Sequence, residues 1–484
     1  MAASELPAAT APAPSAAAHT STASPAERPV ERTVTEQSAT ATLARGVSIS
    51  EDGAAKEGRS VGSSPSTQGA PVMRRPSLSQ HPLFAAKARG LRTRIMRFTP
   101  SWFSVTMGTG IVNTLLFDLP WEATHPAFRG IGAAFLVFDM GLFVAFTIIS
   151  ITRYALFPKI FLVMLAHETH SLFLGTIPMG FVTITSGIAR TGTEYGIEKA
   201  LDGALVMWWI ALVMSVFTAF GVPFIMFTKH NHTAEALTAA WLLPVVPPIT
   251  IAAVGSSLCR LLIERDRLDY AFTILVASYV MNGVGLLIAC GLMVIYFQRL
   301  AVHHLPPREL IVSTFLPLGP CGQGGFALIE LGRIALDLLP KLAALHPHRT
   351  EMQELSQLGP ALLGSGLMSG MLLWGLGIWW MFVAVVSVGS HYIGKTVAFN
   401  MGWWAFTFPL GSLNLLTYSL GNLFNSMFFN VVGAMMTFCV VALWTIVFIP
   451  TVTGFFRGTL FPAPCLAALP PAYVDRLPGG QTPP

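Results

Sequence analysis

Long apolar runs separated by short polar stretches fill the middle of the chain, from residue 96 to residue 460. A run of roughly 20 apolar residues is long enough to cross the hydrocarbon core of a bilayer as an α-helix. Residues 1–95, rich in Ala, Ser, Thr and Pro, and residues 461–484, rich in Pro, cannot bury enough apolar surface to fold alone. The pattern predicts an all-α polytopic membrane domain between two disordered tails.

Ten of these runs have the length of a membrane span, and the predicted transmembrane helices are numbered 1 to 10 in chain order. An even number of spans places both termini on one side of the membrane. A further apolar stretch, residues 157–166, is too short to span and is predicted to lie at the membrane surface. The predicted helices are Pro100–Phe117, Gly130–Ser150, Ser171–Ala189, Ala204–Phe227, Leu237–Leu261, Tyr270–Phe297, Leu310–Leu331, Pro360–Val388, Thr396–Leu420 and Leu423–Pro450.

Composition and charge support a membrane protein and indicate its orientation. Hydrophobic residues make up 53% of the 484 residues and charged residues only 11%, whereas a soluble domain carries about a quarter charged residues. Lys and Arg are more frequent on the side of the termini, which predicts cytoplasmic termini. We therefore assign the basic residues before helix 1 to anionic lipid rather than nucleic acid; they are Lys87, Arg89, Arg92, Arg94 and Arg97.

Proline recurs inside the odd-numbered helices, at a spacing of about 70 residues, which predicts five similar helix pairs, or helical hairpins. Proline removes a backbone donor and bends a helix, and lipid does not tolerate the carbonyls that are left unpaired. We therefore expect the odd-numbered helices to face inward around a central pore. The predicted lining of this pore is Ser104, Pro178, Phe181, Thr183, Pro247, Thr250, Thr314, Pro317, Gln323, Thr407 and Pro409.

Acidic residues within the ten segments are limited to Asp139 on helix 2 and Glu330 near the end of helix 7. Ion-coupled transporters place ionisable groups near the bilayer midplane, so this pattern favours a passive route for a weakly held anion. Asp139 has two interpretations: a hydrogen bond to a neighbouring helix or subunit, which we prefer, or proton coupling. Aromatic side chains on the inner helices could close the pore; Phe408, before the proline of helix 9, is the preferred gate, with Phe406 and Phe103 as alternates.

Four motifs resemble those of the tellurite-resistance/dicarboxylate transporter family, and within it the sequence is most similar to the fungal sulfite efflux pumps. The motifs are residues 98–103 (FTPSWF), 107–110 (MGTG), 315–325 (FLPLGPCGQGG) and 402–409 (GWWAFTFP), and the resemblance covers about residues 97–456. It implies a homotrimer in the plasma membrane that exports sulfite through five hairpins around a pore. Plant slow anion channels belong to the same family, and their blocking phenylalanine on helix 9 matches Phe408.

Two alternatives remain at this stage. One is a proton-coupled dicarboxylate permease of the malate type, which needs a titratable coupling group and a cation for the carboxylates. The other is a membrane enzyme or receptor, but the segment from His167 to His170 is one residue shorter than the zinc motif H-E-x-x-H, and the five cysteines are dispersed. We therefore predict no enzymatic activity, metal or other cofactor. A basic motif before Ser77 predicts a possible phosphorylation site.

Overall fold

The protein is described by a computed structural model that covers residues 90–121, 125–348, 350–392 and 399–469. Ser77, residues 1–89 of the predicted N-terminal tail and residues 470–484 lie outside this range. All the regular secondary structure within it is helical. The α-helices are α1 (Leu91–Met96), α2 (Phe103–Phe117), α3 (His125–Leu156), α4 (Pro158–Leu165), α5 (Thr176–Glu194), α6 (Ala200–Val216), α7 (Val222–Lys229), α8 (Val246–Glu264), α9 (Leu268–His303), α10 (Leu318–Leu345), α11 (Thr350–Ser356), α12 (Gly359–Tyr392), α13 (Thr407–Phe424) and α14 (Met427–Arg457).

Seven helices of the described residues are long and apolar enough to cross a membrane. This confirms the all-helical, multi-pass membrane class, although the number is smaller than the ten that were predicted. The helices α2, α10 and α13, which match predicted helices 1, 7 and 9, are not among the seven. The seven spans are Pro126–Leu156, Leu172–Glu194, Ala200–Lys229, Val246–Glu264, Leu268–His303, Thr350–His391 and Met427–Arg457.

Buried and exposed helices alternate along the chain. In the most apolar 18-residue stretch of each span, 72% of the residues are buried for the span that contains α5 and 83% for α8. The corresponding share is between 17% and 39% for the spans that contain α3, α6, α9, α12 and α14. All fifteen residues of α2 are buried, and so is every residue of α13 from Thr407 to Gly421. The exposed faces carry large apolar side chains, which suits contact with lipid; examples are Val144, Leu287, Phe382 and Ile446.

The five buried helices α2, α5, α8, α10 and α13 form a closed ring. Each packs against the next in chain order, and α13 packs against α2; each also packs against the exposed helix that follows it. Glycines permit the closest approaches. A Cβ atom on Gly110 of α2 would lie 2.2 Å from Oγ1 of Thr183 on α5, and one on Gly322 of α10 would lie 2.2 Å from the carbonyl carbon of Ser412 on α13. The ring therefore depends on small residues where helices cross.

The prolines of the predicted odd-numbered helices lie at or before the beginning of the buried α-helices rather than at bends inside them, which corrects the sequence-based expectation; Pro340 does lie in the interior of α10. Pro178, Pro247 and Pro409 occupy the first turn of α5, α8 and α13, and Pro317 directly precedes α10. A first-turn residue has no intrahelical partner for its N–H group, so proline costs little there. A 3₁₀ segment precedes each of these α-helices; these segments are Pro100–Trp102, Leu172–Gly175, Ala239–Leu242, Ile311–Phe315 and Met401–Phe406.

Both predicted tail boundaries need correction within the described residues. Helix α1 begins at Leu91, inside the predicted N-terminal tail, and Arg94 on it donates a hydrogen bond to the carbonyl of Phe456 on α14 (2.9 Å). After residue 460, a 3₁₀ segment at Pro464–Ala468 packs on the surface helix α4, with Cys465 fully buried. Clustered apolar side chains explain this order, because their burial offsets the entropy lost by the backbone.

Candidate pore and its lining residues

Four cavities line the ring of buried helices. The N-terminal cavity, about 180 Å³, lies where these helices begin, and the C-terminal cavity, about 200 Å³, lies where they end. Two smaller spaces lie between them: a constriction of about 10 Å³, which shares Met107, Leu243 and Leu316 with the N-terminal cavity, and a central cavity of about 30 Å³, which shares Asp118 and Arg190 with the C-terminal one. The cavities thus follow one another along the ring axis.

The register of the lining residues supports this axial order. Four of the buried helices contribute one residue to the constriction and another to the central cavity one turn further along, at a spacing of four residues. Four residues correspond to a rise of about 6 Å along an α-helix. The pairs are Met107 and Ile111, Met179 and Thr183, Val246 and Thr250, and Gly319 and Gln323.

Phe408 lies at the constriction, and only 2% of it is exposed. The remaining lining is apolar apart from backbone groups, and it includes Pro409, Leu242 and Val246. A space of about 10 Å³ is near the lower limit for holding one water molecule, so this point of the axis is closed to a hydrated ion. The constriction is produced by the phenyl ring together with two methionines and the leucines of neighbouring helices.

Hydroxyl groups line the central cavity, and those of its threonines donate their protons to carbonyls of their own helices. Thr183 donates to the carbonyl of Gly180 (2.9 Å) and Thr250 to the carbonyl of Val246 (3.2 Å). Gln323 instead donates from Nε2 to Oγ of Ser412 (3.1 Å), which joins α10 to α13. In the N-terminal cavity, Ser104 of α2 donates to the carbonyl of Ser101 in the preceding 3₁₀ segment (2.6 Å). The wall therefore presents mainly oxygen lone pairs, and it donates a hydrogen bond to an anion only after a hydroxyl group reorients. Contact of this kind with an anion is weak and transient.

Three arginines line the C-terminal cavity, and sequence analysis missed them. Arg190 forms a two-pronged ion pair with Asp118, while Arg260 and Arg333 contact the carboxylate of Glu330 at 2.5 Å and 3.2 Å. Three cations and two carboxylates leave one net positive charge in the cavity. Arg190 and Asp118 also line the central cavity, so this ion pair reaches the axis, whereas the surplus positive charge comes from Arg260 and Arg333 beside Glu330. The arrangement attracts anions to this end of the ring.

A repeat in the sequence could have identified these arginines. Arg190 and Arg260 each follow a first-turn proline, Pro178 and Pro248, by 12 residues, which places both at the same depth of equivalent helices. Arg333 has the same place near the end of the cavity-lining part of α10. The predicted spans ended before Arg190 and Arg333 and one residue after Arg260, whereas the helices continue beyond all three arginines.

The other candidate gate residues pack away from the four cavities. Phe103 contacts Phe143 and Phe146 of α3, with ring centroids 5.4 and 6.1 Å apart, and Phe406 packs on Phe315 at 5.0 Å. Phe181, a predicted lining residue, stacks on Phe143 at 5.4 Å. Of the three candidates for a gate, Phe408 alone lines one of these cavities, although this placement does not itself test gating.

The remaining predicted lining residues divide into two groups. Thr183, Thr250, Gln323, Ser104 and Pro409 line one of the four cavities. The others are buried between helices instead; they are Pro178, Pro247, Thr314, Pro317 and Thr407. Thr314 and Thr407 donate hydrogen bonds to the carbonyls of Ile311 and Trp404, so their hydroxyl groups hold the 3₁₀ segments that precede α10 and α13.

Asp139 is fully buried, and neither of its carboxylate oxygens has a hydrogen-bond partner among the described residues. The predicted hydrogen bond to a neighbouring helix is therefore not formed within the described part of the chain. The side chain lies against Gly110, where an added Cβ atom would come within 3.0 Å of Oδ2. An isolated carboxylate in such a place is costly, so a neutral, protonated Asp139 is the form that fits.

These features describe a multi-pass helical membrane protein whose axial cavities favour anions at one end. The chain belongs to the family described as voltage-dependent anion channel, whose sequence model matches residues 97–452. Sulfite efflux pumps of Arthroderma benhamiae and Arthroderma otae are 41% and 42% identical over 360 residues, which cover 74% of this chain and 91% of each relative. The malic acid transport protein of Schizosaccharomyces pombe is 23% identical over 372 residues, covering 76% of this chain and 81% of that protein.

The comparisons confirm the family that the four motifs indicated. The family and the relatives named above are channels and transporters rather than enzymes. Among the described residues, no group of three or more His, Cys, Asp or Glu side chains is arranged to hold a metal ion, and Cys259, Cys290, Cys321, Cys439 and Cys465 are all free thiols.

Proposed function

We propose that this protein exports sulfite and bisulfite from the cell through the axis of the five-helix ring. The observation that carries the proposal is the line of cavities, which ends in a chamber with three arginines and one net positive charge. Similarity to fungal sulfite efflux pumps over 91% of their length supplies the substrate. A solute with one or two negative charges suits this electrostatic arrangement.

Ten transmembrane helices, paired as five hairpins around the pore, are part of the proposal. The three helices that fall outside the seven apolar spans are α2, α10 and α13, and all are largely buried. Their hydroxyl, amide and glycine residues lower their mean hydropathy, yet a helix of the inner ring contacts protein rather than lipid on most sides. A hydropathy criterion therefore misses these helices for the same reason that they suit the pore wall.

The constriction at Phe408 is proposed as the gate. In the described conformation, its phenyl ring closes the axis between the N-terminal cavity and the central cavity. Rotation of this aromatic side chain would widen the axis at its narrowest point. The slow-anion-channel resemblance assigns the same role to this position.

The membrane potential is proposed as the driving force. An inside-negative potential favours outward movement of an anion by about 2.3 kcal/mol per charge per 100 mV. The pattern GxxxxGK[ST] occurs at residues 389–396, but Gly389 lies within the helix α12, whereas the nucleotide-binding motif follows a β-strand. A potential-driven route needs only a selective path and a gate, and both have candidate residues on the axis.

Location and assembly extend the proposal. A homotrimer in the plasma membrane with cytoplasmic termini is supported by the family resemblance and by the basic residues before α2. With this orientation, the N-terminal cavity faces the cytosol and the C-terminal cavity faces outside, so exported sulfite leaves past the arginines. Apolar side chains on the exposed helices contact lipid or the neighbouring subunits.

Dicarboxylate transport is the second candidate, and the relative from Schizosaccharomyces pombe favours it. Such a permease needs a cation for the carboxylates, and no interior of a predicted odd-numbered helix supplied one; Arg190, Arg260 and Arg333 on α5, α8 and α10 now provide candidates. Sulfite remains the better supported substrate, because the identity to sulfite efflux pumps is 41% and that to the malic acid transport protein is 23%.

Competition in liposomes distinguishes the two substrates. Purified protein is reconstituted, and sulfite release is measured with and without excess malate, nitrate or chloride on the same side. We expect saturable sulfite release that malate inhibits weakly. Malate transport that exceeds sulfite transport would reject sulfite efflux in favour of the permease.

A further inference from the structure

Four histidines meet beside the N-terminal cavity, from two segments far apart in sequence. His167 and His170 lie between α4 and α5, with ring centroids 4.7 Å apart, and His230 and His232 follow α7 at 5.2 Å. Nε2 of His230 lies 3.0 Å from the carbonyl oxygen of Leu165, which links the two segments. His232 lines the cavity itself.

Several ring nitrogens in this cluster lack partners. Nδ1 of His167 accepts the backbone N–H groups of Thr169 (3.2 Å) and His170 (3.3 Å), and Nε2 of His230 donates to a carbonyl, which can only accept. Nδ1 of His170, Nδ1 of His230 and Nε2 of His232 are buried without a hydrogen-bond partner among the described residues. A protonated imidazole has N–H donors on both nitrogens, and a small anion can accept such a bond.

The charged groups around the cluster determine how protonation of the histidines changes the attraction of the N-terminal cavity for an anion. Glu168 and Glu309 line the N-terminal cavity, and Arg153 lies behind His170. Burial lowers the pKa of His167 and His232, although Glu168 opposes the effect in both, and burial with nearby positive charge lowers the pKa of His170 to about 3. Near neutral pH, the rings of His167, His170 and His232 are therefore mostly uncharged, while the two carboxylates repel an approaching anion.

We propose that His232, with His167 and His230 beside it, forms a proton-dependent binding site for small oxyanions at the mouth of the N-terminal cavity. Protonation of this site, called the histidine site below, offsets the charges of Glu168 and Glu309 and presents N–H donors to the anion. His170 has a supporting place in the cluster and stays neutral. Acidification on this side therefore raises anion flux, and the same change on the C-terminal side does not act through this site.

The proposed function gives the histidine site a physiological role, and this part of the inference rests on that function. Sulfur dioxide that crosses the membrane reacts with water to give bisulfite and one proton, so the anion to be exported and an acid load arise together. If the N-terminal cavity faces the cytosol, the same reaction supplies both the ligand and the proton for the histidine site. Export is then promoted when sulfite accumulates.

Nitrate current tests the site, because nitrate keeps one charge throughout the pH range whereas sulfite does not. Protein is inserted in a planar bilayer in a known orientation, and the pH on the N-terminal-cavity side is lowered from about 7.5 to about 5.5. We expect the current to rise about twofold or more, the change produced by one unit charge about 8 Å from the anion at the dielectric constant of water. The same step on the other side is the internal control.

The His167→Gln/His230→Gln/His232→Gln variant should lose this rise. His232→Gln alone should lose part of it and serves if the triple variant does not fold. His346→Gln is the matched control, because His346 pairs with Asp269 at the start of α9, outside the cluster, and its response should equal that of the unmodified protein.

Two outcomes would overturn the proposal: an unmodified protein without a pH response on this side, or a His232→Gln variant with the full response. Failure of the proposed function is separate, because a protein that conducts nitrate with the expected pH response but does not carry sulfite would reject the substrate and keep the site.

Discussion

Replacement of Phe408 by alanine tests the closed constriction. The ring fills the axis where the free space is about 10 Å³, so an anion at this point must give up its water. The cost of removing an ion from water in a protein is several kcal/mol after relaxation. The alanine side chain leaves room for water to accompany the anion.

If the substitution removes about 3 kcal/mol of this barrier, anion flux rises about 100-fold, since each 1.4 kcal/mol corresponds to a factor of ten in rate. The same truncation lowers stability by up to about 3–5 kcal/mol, the usual cost of a Phe-to-Ala change in a packed core. The effects on stability and on flux can be measured separately. Loss of packing reduces the amount of folded protein, whereas loss of the ring raises the flux per folded molecule.

The assay compares anion flux per reconstituted molecule for Phe408→Ala, Phe408→Leu and Phe406→Ala. The leucine variant should give an intermediate flux. Phe406→Ala is the matched control, since Phe406 is a buried aromatic two residues away that packs on Phe315 and lines none of the four cavities. Equal flux in Phe408→Ala and the unmodified protein, or an equal rise in Phe406→Ala, would refute the assignment of the gate.

Three further substitutions test other parts of the account. Arg190→Gln removes the axial cation and should lower sulfite flux about fivefold or more, the factor for about 1 kcal/mol between unit charges 4 Å apart in water, while Arg129→Gln, outside the cavities, should keep the flux. Asp139→Asn should leave flux and its pH profile unchanged, because a buried carboxyl without partners is already neutral; a changed profile would support proton coupling. Gly322→Ala should lower the melting temperature, because its Cβ atom would lie 2.2 Å from the backbone of α13, whereas Gly283→Ala, with open space around it, should not.

Much of the fold could be predicted from the sequence because bilayer physics leaves a clear pattern. Apolar length identified the exposed helices, and prolines with small polar residues identified the helices that are now seen to be buried. The predicted positions of the prolines within the helices were wrong, however. A proline pattern alone does not distinguish a bend inside a helix from a first-turn proline after a 3₁₀ segment, and Pro178 and Pro409 belong to the second kind.

The chemistry of the pore was harder to predict. Phe408 could be named because a motif carried it, but Arg190 was assigned to a loop, since a charged residue usually ends a membrane span. The helix α5 continues to Glu194, and the ion pair between Arg190 and Asp118 compensates for the charge of each. Sequence periodicity does not reveal such partners, because they come from helices far apart in the chain.

The histidine cluster could not be predicted for a similar reason. The segment from His167 to His170 was considered as a zinc motif that is one residue too short, and nothing in its sequence indicated contact with a second segment. The carbonyl of Leu165 receives the hydrogen bond from His230, 65 positions away, and this contact brings the four rings together. Long-range contacts of this kind depend on the packing of α5, α6 and α7.

Sulfite flux under an imposed voltage tests most directly whether an electrical gradient drives anions along the axis. Liposomes with equal sulfite on both sides receive a potassium diffusion potential of about 100 mV, negative on the side of the N-terminal cavity. For a monovalent anion, we expect movement away from that side to exceed the reverse by up to about 50-fold, from about 2.3 kcal/mol per charge. Equal unidirectional fluxes with and without the potential would contradict the account.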